Sequence, residues 1–340
     1  MLAERAIAFN KQMHVLRENK TEDIFTRLGY VFPSDIRMKN FGRSPHVAFN
    51  PGAVLEGRRL YVLPRLIFDY YKYVSSIGLF SIPIEDVLEQ NIAGPFDTEI
   101  ILWPKNLWEF KGCEDARVTR VGDEYWVLYT GNRHLERERP EVGPPYEFQG
   151  FARFDLSWRE KDRKYLQMVA ENISQLKDSA FLDVRGSQAS MLLRPTIRGV
   201  GVGWRGIADV KSGTVYLNTL EPVLPVAEWE LKVGWSTNAV KIGEDEYLIG
   251  WHGVLKYDYS YRNGFAILDG EGNLLGLTHY LLAPKGVIEE YGDRPFVIFG
   301  NGLVLYKNLV LWVGGISDYA IGFFLAPLDE ILSRVRWVRG

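Results

Sequence analysis

Cysteine occurs once in the 340 residues, at Cys113. One cysteine makes no intramolecular disulfide, the pattern of a reducing cytoplasm. With no resolving partner, Cys113 reads as a small buried residue. Histidine is scarce as well: five are scattered along the chain. Cysteine-rich zinc sites are therefore excluded, and no metal centre is expected. No apolar run reaches the ~18 residues of a membrane span. The start, Met1-Leu2-Ala3-Glu4-Arg5, lacks the apolar core of a secretion signal. The expectation is a cytoplasmic protein. A surplus of charge is missing too: the net charge is −3, which disfavours nucleic acid or an anionic membrane as partner. Pro/Gly/Ser-rich linkers are absent. So are long central helices, which argues against alternating β-α units.

What the chain does have is aromatic residues, 10 Trp, 18 Tyr and 18 Phe, together with 33 Gly. This composition suits strands and turns. Aromatic-rich clefts hold sugar rings, and large β-sheet cores use the same residues. Helical spacing appears at the ends. Residues 3–28 carry Ile7, Met13, Leu16, Ile24 and Leu28 at rough helical intervals, with Thr21 placed to cap a second short helix. Residues 328–338 carry Ile331, Val335 and Val338 on one side. An amphipathic N-terminal helix offers a surface for a homo-oligomer.

Between the ends a unit repeats: a polar start, an apolar strand, a turn and a second strand. The starts are Asn50, Asp115, Asp178, Asn238 and Asn301, at intervals of 65, 63, 60 and 63 residues. Known blades of four antiparallel strands take about 40–50 residues, so these longer units leave room for functional loops. The expected fold is all-β, a single five-bladed β-propeller with terminal helices. Residues 1–40 would be an N-terminal helical extension, 41–327 the propeller, and 328–340 a C-terminal helix packed on it. The competing fold is a β-sandwich.

In a propeller, equivalent ends of the innermost strands converge on one channel. The polar starts would bring Asn50, Glu114, Asp115, Lys177, Asp178, Asn238 and Asn301 near one axis. The ends of the second strands would add Arg65, Arg194, His252 and Asp318. The result is a pocket of carboxylates, amides and cations.

The run Gly112-Cys113-Glu114-Asp115-Ala116-Arg117, followed by Tyr125-Trp126-Val127-Leu128-Tyr129-Thr130-Gly131, resembles glycoside hydrolase family 130. That family contains β-mannoside phosphorylases and β-mannosidases. Its Gly-x-Glu-Asp-Pro-Arg hallmark matches with Ala116 in place of proline. Further similar segments follow in order: Phe49-Asn50-Pro51-Gly52-Ala53 with Arg65, Lys177-Asp178, Arg194-Pro195, Lys232, Trp251-His252-Gly253-Val254, and Gly314-Gly315-Ile316-Ser317-Asp318. Two segments depart from the family: Phe181-Leu182-Asp183-Val184 and Ser236-Thr237-Asn238-Ala239.

The resemblance implies an inverting glycoside phosphorylase that acts on β-mannosides. It implies that Asp115 is the acid, passing its proton through a hydroxyl of the bound mannose. It implies that Lys177, Arg194, Lys232 and His252 hold phosphate, which is a co-substrate rather than a cofactor. Asn50, Arg65, Glu114, Arg117 and Asp318 would contact sugar, and Arg117 would serve equally to position Asp115. Singly, each has an ordinary reading: Glu114 in a structural salt bridge, Lys232 exposed on a strand, Arg194 in a buried ion pair, His252 a core histidine. Phosphorolysis needs only the acid, because phosphate is itself the nucleophile, and it needs cations to hold a dianion beside the sugar. The alternatives are an inverting β-mannosidase with Asp183, Glu289 or Glu290 as base, and a non-catalytic glycan-binding propeller.

Overall fold

The computed structural model describes residues 2–12, 16–71, 73–133, 147–169 and 173–338. It is 57% strand and 11% helix, which sets the class as all-β. Five antiparallel meanders follow one another along the chain. The first comprises Val47–Glu56, Arg59–Ile67, Ser75–Pro83 and Phe96–Leu102. The second comprises Gly112–Val121, Glu124–Asn132, Glu147–Asp155 and Glu160–Tyr165. The third comprises Ile173–Arg185, Gln188–Ile197, Gly203–Asp209 and Glu221–Leu224. The fourth comprises Glu230–Lys241, Tyr247–Leu255, Tyr261–Leu268 and Leu274–Leu277. The fifth comprises Ile298–Tyr306, Leu309–Ile316 and Ala320–Pro327, and its fourth strand, Thr26–Val31, comes from the other end of the chain.

Short turns set the register of the leading hairpins. Gly57, Gly122 and Gly186 each open a two-residue loop at positive φ, the conformation such loops require. The first strands then pack against one another in cyclic order, from the first meander through the fifth and back to the first. Apolar clusters fill the spaces between sheets. Trp204, Trp235, Trp251 and Trp312 are fully buried there, so the aromatic surplus is core first.

The chain ends depart from the helical reading. Among the described residues the N-terminal helix spans Leu2–Gln12, and it buries Ala3 and Ala6 against the third meander's cluster; Met13 lies outside the described residues. Thr21 caps no helix; it bridges to Tyr280. Residues Thr26–Val31 pair with Ala320–Pro327. The open edge of the fifth sheet offers a full ladder of hydrogen bonds, and this outweighs a weak helical periodicity. At the C-terminus the helix is Leu328–Leu332, after which Arg336–Trp337 pairs with Leu274–Leu277. No helix among the described residues is long and apolar enough to cross a membrane.

Candidate active site

Each first strand is broken by a register shift at the same place in the repeat: Phe49/Gly52, Glu114/Arg117, Lys177/Ala180, Trp235/Ala239 and Phe299/Gly302. A bulge inserts unpaired residues and re-aims their side chains. Asn50, Asp115 and Asp178 occupy these bulges at φ of 43°, 56° and 53°. Asn and Asp tolerate the left-handed region best among residues with a Cβ. Asp318 has the same conformation, at φ 51°, after the fifth meander's second strand. Strained backbone at four polar positions marks a site held in place by its surroundings.

These residues line one cavity of about 220 Å³. The structure brings Asn50, Arg65, Glu114, Asp115, Lys177, Arg194, Lys232, His252 and Asp318 together around it, as expected, along with Asp178. It adds Glu147, Tyr261, Arg294, Val297 and Phe299, which the repeat did not reveal. Glu147 and Tyr261 begin the third strands of their meanders. That position was legible in the repeat had the third strand been included, and Ser75 is its counterpart in the first meander. Arg294 and Val297 precede the fifth meander, outside any repeated strand.

On one side of the cavity, Arg65 donates through Nη2 to Glu114 Oε1 at 2.9 Å and approaches Asp115 Oδ1 at 3.6 Å. Asn50 Nδ2 donates to Asp115 Oδ1 at 3.1 Å. Burial pushes the Glu114 carboxyl up against the pull of Arg65. Burial also raises Asp318 to about 6, despite Arg65 and Arg294. Glu114 is thus in the salt bridge its ordinary reading foresaw, while also facing the cavity.

On the other side, Lys177 Nζ donates to Glu147 Oε1 at 2.8 Å, and Arg194 Nε to Asp178 Oδ2 at 2.7 Å. Burial disfavours the Asp178 carboxylate, but Arg194 and Arg117 more than offset it and hold it well below the usual range. Lys232 is not an exposed strand lysine. Burial, then Arg194 and Lys177, pulls its ammonium down to about 7. Burial likewise keeps His252 neutral, with Ser236 Oγ 3.0 Å from its Nδ1. A Cβ on Gly234 would come within 2.6 Å of His252 and 2.9 Å of Arg194, so only glycine lets these two side chains meet there.

Three expectations need correction. Arg117 does not line the cavity. It lies beneath it, donating to the Asp115 carbonyl at 2.9 Å, to Asp178 Oδ1 at 3.1 Å and to the Ser236 carbonyl at 2.9 Å. Its donors are aimed at protein, so it holds the second, third and fourth meanders together. Asn238 and Asn301 also tie strands rather than face the cavity: Asn238 exchanges hydrogen bonds with Leu303, and Asn301 Nδ2 donates to the Asn50 carbonyl at 2.8 Å. Asp183, Glu289 and Glu290 are not part of the lining. Asp183 pairs with Arg185, and buried Glu289 is held by Arg27 and Tyr30.

Residues 15–337 match the family model described as beta-1,4-mannooligosaccharide phosphorylase. A beta-1,2-mannobiose phosphorylase of Thermoanaerobacter sp. (strain X514) is 24% identical over 307 residues, 83% of this chain and 91% of that protein. Among solved structures, the beta-1,2-mannobiose phosphorylase of Listeria innocua, in complex with beta-1,2-mannobiose, superposes with a TM-score of 0.71 at 18% identity. It covers 92% of this chain and 98% of that one. A mannose phosphorylase from Leishmania mexicana, in complex with phosphate, superposes with a TM-score of 0.57 at 12% identity, covering 99% and 96%. At these identities the superpositions show a shared fold.

Proposed function

This chain belongs to glycoside hydrolase family 130, and we propose that it is an inverting β-mannoside phosphorylase. A phosphate oxygen would attack the anomeric carbon of the terminal mannose as the bond to the leaving sugar breaks. The products are α-mannose 1-phosphate and a shortened saccharide. Asp115 supplies the proton that the leaving oxygen needs, through a hydroxyl of the bound mannose. Arg117 steadies Asp115 through its carbonyl. Asn50, Arg65, Glu114 and Asp318 take the sugar hydroxyls. Asp318, raised to about 6, is partly protonated near neutrality and able to donate as well as accept. Lys177, Arg194, Lys232 and His252 take the phosphate. Ser236 Oγ lies 3.0 Å from His252 Nδ1; in the tautomer where Nδ1 accepts, Nε2 carries the proton and offers it to the anion.

The observation that carries this reading is the gathering of three cationic side chains and an imidazole, from the third and fourth meanders, in the same small cavity as Asp115. A dianion held by charge-assisted hydrogen bonds is the ligand that suits such a set. Five meanders whose first strands touch in a ring support a five-bladed propeller. On that reading residues 41–327 form the catalytic unit, and 1–40 and 328–340 flank it.

The test is to incubate the protein with β-1,2- and β-1,4-mannobiose, with and without phosphate. Mannose 1-phosphate forming only with phosphate is the expected outcome. Release of free mannose at the same rate without phosphate would replace the reading with a β-mannosidase.

A further inference from the structure

A buried ion pair, Arg17 with Glu230, lies outside the cavity and outside the mechanism. Both side chains are wholly enclosed. Arg17 comes from the N-terminal segment, ahead of the first meander. It donates through Nε to Glu230 Oε1 at 2.9 Å, and through Nη2 to Glu230 Oε2 and to the Pro225 carbonyl, the latter at 2.6 Å. The Tyr280 hydroxyl donates to Glu230 Oε1 at 2.5 Å and accepts from Trp229 Nε1 at 2.9 Å. The same carboxylate accepts from the Ala227 N–H at 2.7 Å, while the Glu230 N–H donates to the Ala227 carbonyl at 3.0 Å. Such a pair says little about stability, because desolvation offsets much of its attraction. What it supplies is fixed geometry, since two-pronged charge-assisted hydrogen bonds tolerate little displacement.

The neighbours of the pair show what is fixed. Glu230 stands two residues before Lys232, and the ladder to Tyr247–Leu255 shifts register between them. Leu231, inside this irregularity, is 53% exposed. A bulge re-aims the side chains beside it, so the direction in which Lys232 enters the cavity depends on how the bulge is held. Glu230 holds it from the first residue of the strand. On the facing strand the pair touches both flanks of His252. The Arg17 guanidinium lies over the Trp251 ring, 4.7 Å from its centre. A Cβ on Gly253 would come within 2.5 Å of Glu230 Oε1 and 3.1 Å of the Tyr280 hydroxyl, so backbone and carboxylate meet directly there. Asn50, Asp115 and Asp318, by contrast, stand on the first, second and fifth meanders.

We propose that Arg17 is a positioning residue for the phosphate site: clamped on Glu230 and Trp251, it sets where Lys232 and His252 aim. The proposal rests on the phosphorylase reading. It gives the N-terminal segment a part in phosphate recognition.

The experiment measures phosphate KM, mannobiose KM, kcat and Tm, with β-mannobiose of the linkage the wild type cleaves. In Arg17→Met the phosphate KM should rise about tenfold, because small displacements of binding groups cost this much or more. Mannobiose KM and kcat at saturating phosphate should stay within about threefold, the pattern of lost ground-state binding. Arg17→Lys, which keeps a charge beside Glu230, should recover part of the phosphate affinity. Tyr280→Phe should raise phosphate KM severalfold. Phe80→Leu, buried on the third strand of the first meander, should lower Tm and leave phosphate KM as it is. Unchanged phosphate KM in Arg17→Met and Tyr280→Phe overturns the proposal and leaves the phosphorylase reading standing. So does an equal rise in both KM values, or a rise in Phe80→Leu that matches Arg17→Met at equal loss of Tm. If Arg17→Met does not fold, Tyr280→Phe decides by the same criteria. If wild-type turnover proves independent of phosphate, the function reading fails separately. Calorimetric titration with inorganic phosphate then decides the role of Arg17: about tenfold weaker binding in Arg17→Met supports it, and equal binding, or none to the wild type, overturns it.

Discussion

Around Asp115 the carboxylates outnumber the cations, whereas around Lys232 the reverse holds. Glu114, Asp115 and Asp318 share Arg65, while Lys177, Arg194 and Lys232 share Glu147 and Asp178. Arg294 acts on both sides, since its charge is felt by Asp318 and by Lys232. Buried charge that is not balanced is expensive, and the usual escape is a change of protonation. Each side of the pocket takes that escape in its own direction. The carboxylate side keeps a proton on Asp318 up to about pH 6. The cation side lets a proton leave Lys232 at about 7. The difference supports the proposed ligands: a neutral, hydroxyl-rich sugar suits the first side, and an anion that restores the missing negative charge suits the second.

Removing the acid is the strongest way to break this comparison. Asp115→Asn keeps the shape and the contact with Asn50 but has no proton to give. General acid catalysis is typically worth about 10²–10⁴ in rate. Formation of mannose 1-phosphate should fall by that factor, with mannobiose binding retained by calorimetry. A variant within threefold of the wild-type rate would move the acid elsewhere, with Asp318 the next carboxyl to try.

The phosphate side should respond in KM instead. His252→Ala and Lys232→Met each delete a hydrogen bond to a dianion, worth about 1.5–3 kcal/mol. That corresponds to a rise in phosphate KM of roughly tenfold or more, with a smaller change in sugar affinity. Arg194→Ala should do the same and also destabilise the fold, because the buried Asp178 then loses one of its two ion-pair partners among the described residues and keeps Arg117. Breaking a buried pair costs about 3–5 kcal/mol. Thermal melting separates the two effects: a normal Tm in Arg194→Ala would mean that the pair contributes little to stability.

Much of this was legible in the sequence, for a physical reason. A repeat with near-constant spacing sets equivalent residues at equivalent places in successive meanders, and Asn50, Asp115 and Asp178 do line one cavity. The same logic misled for Asn238 and Asn301. Equivalent backbone positions can point polar groups inward to a ligand or sideways to the next strand, and the repeat does not say which. For Arg117 the sequence leaves two roles open, positioning of Asp115 or contact with the ligand, and the bulge favours the first by turning the guanidinium to the Asp115 carbonyl beneath the cavity. Arg294 and Glu147 were invisible because connecting segments and third strands deliver them. Helical spacing in the sequence runs to Leu28, yet Thr26–Val31 is an edge strand, because its partner lies at the far end of the chain and local periodicity carries no record of that pairing.

The finest test concerns the proton on Lys232. Its ammonium is held down to about 7 by burial and by Arg194 and Lys177. Below that pH the lysine is charged and adds its full attraction to an anion. Above it, binding an anion must first take up a proton, so affinity falls as pH rises. Phosphate itself titrates near neutrality, which blurs the effect. Sulfate keeps its charge throughout, and as a competitor it isolates the protein's part. Its inhibition constant should be flat below about pH 6.5 and climb severalfold between pH 7 and 8.5. Lys232→Arg, whose guanidinium stays charged over this range, should abolish the climb. A wild-type profile that stays flat to pH 8.5 would show that Lys232 keeps its proton over this range, and one that climbs equally in Lys232→Arg would show that the proton leaves from another group. The contrast between the two sides of the pocket would then rest on the geometry of the cations alone.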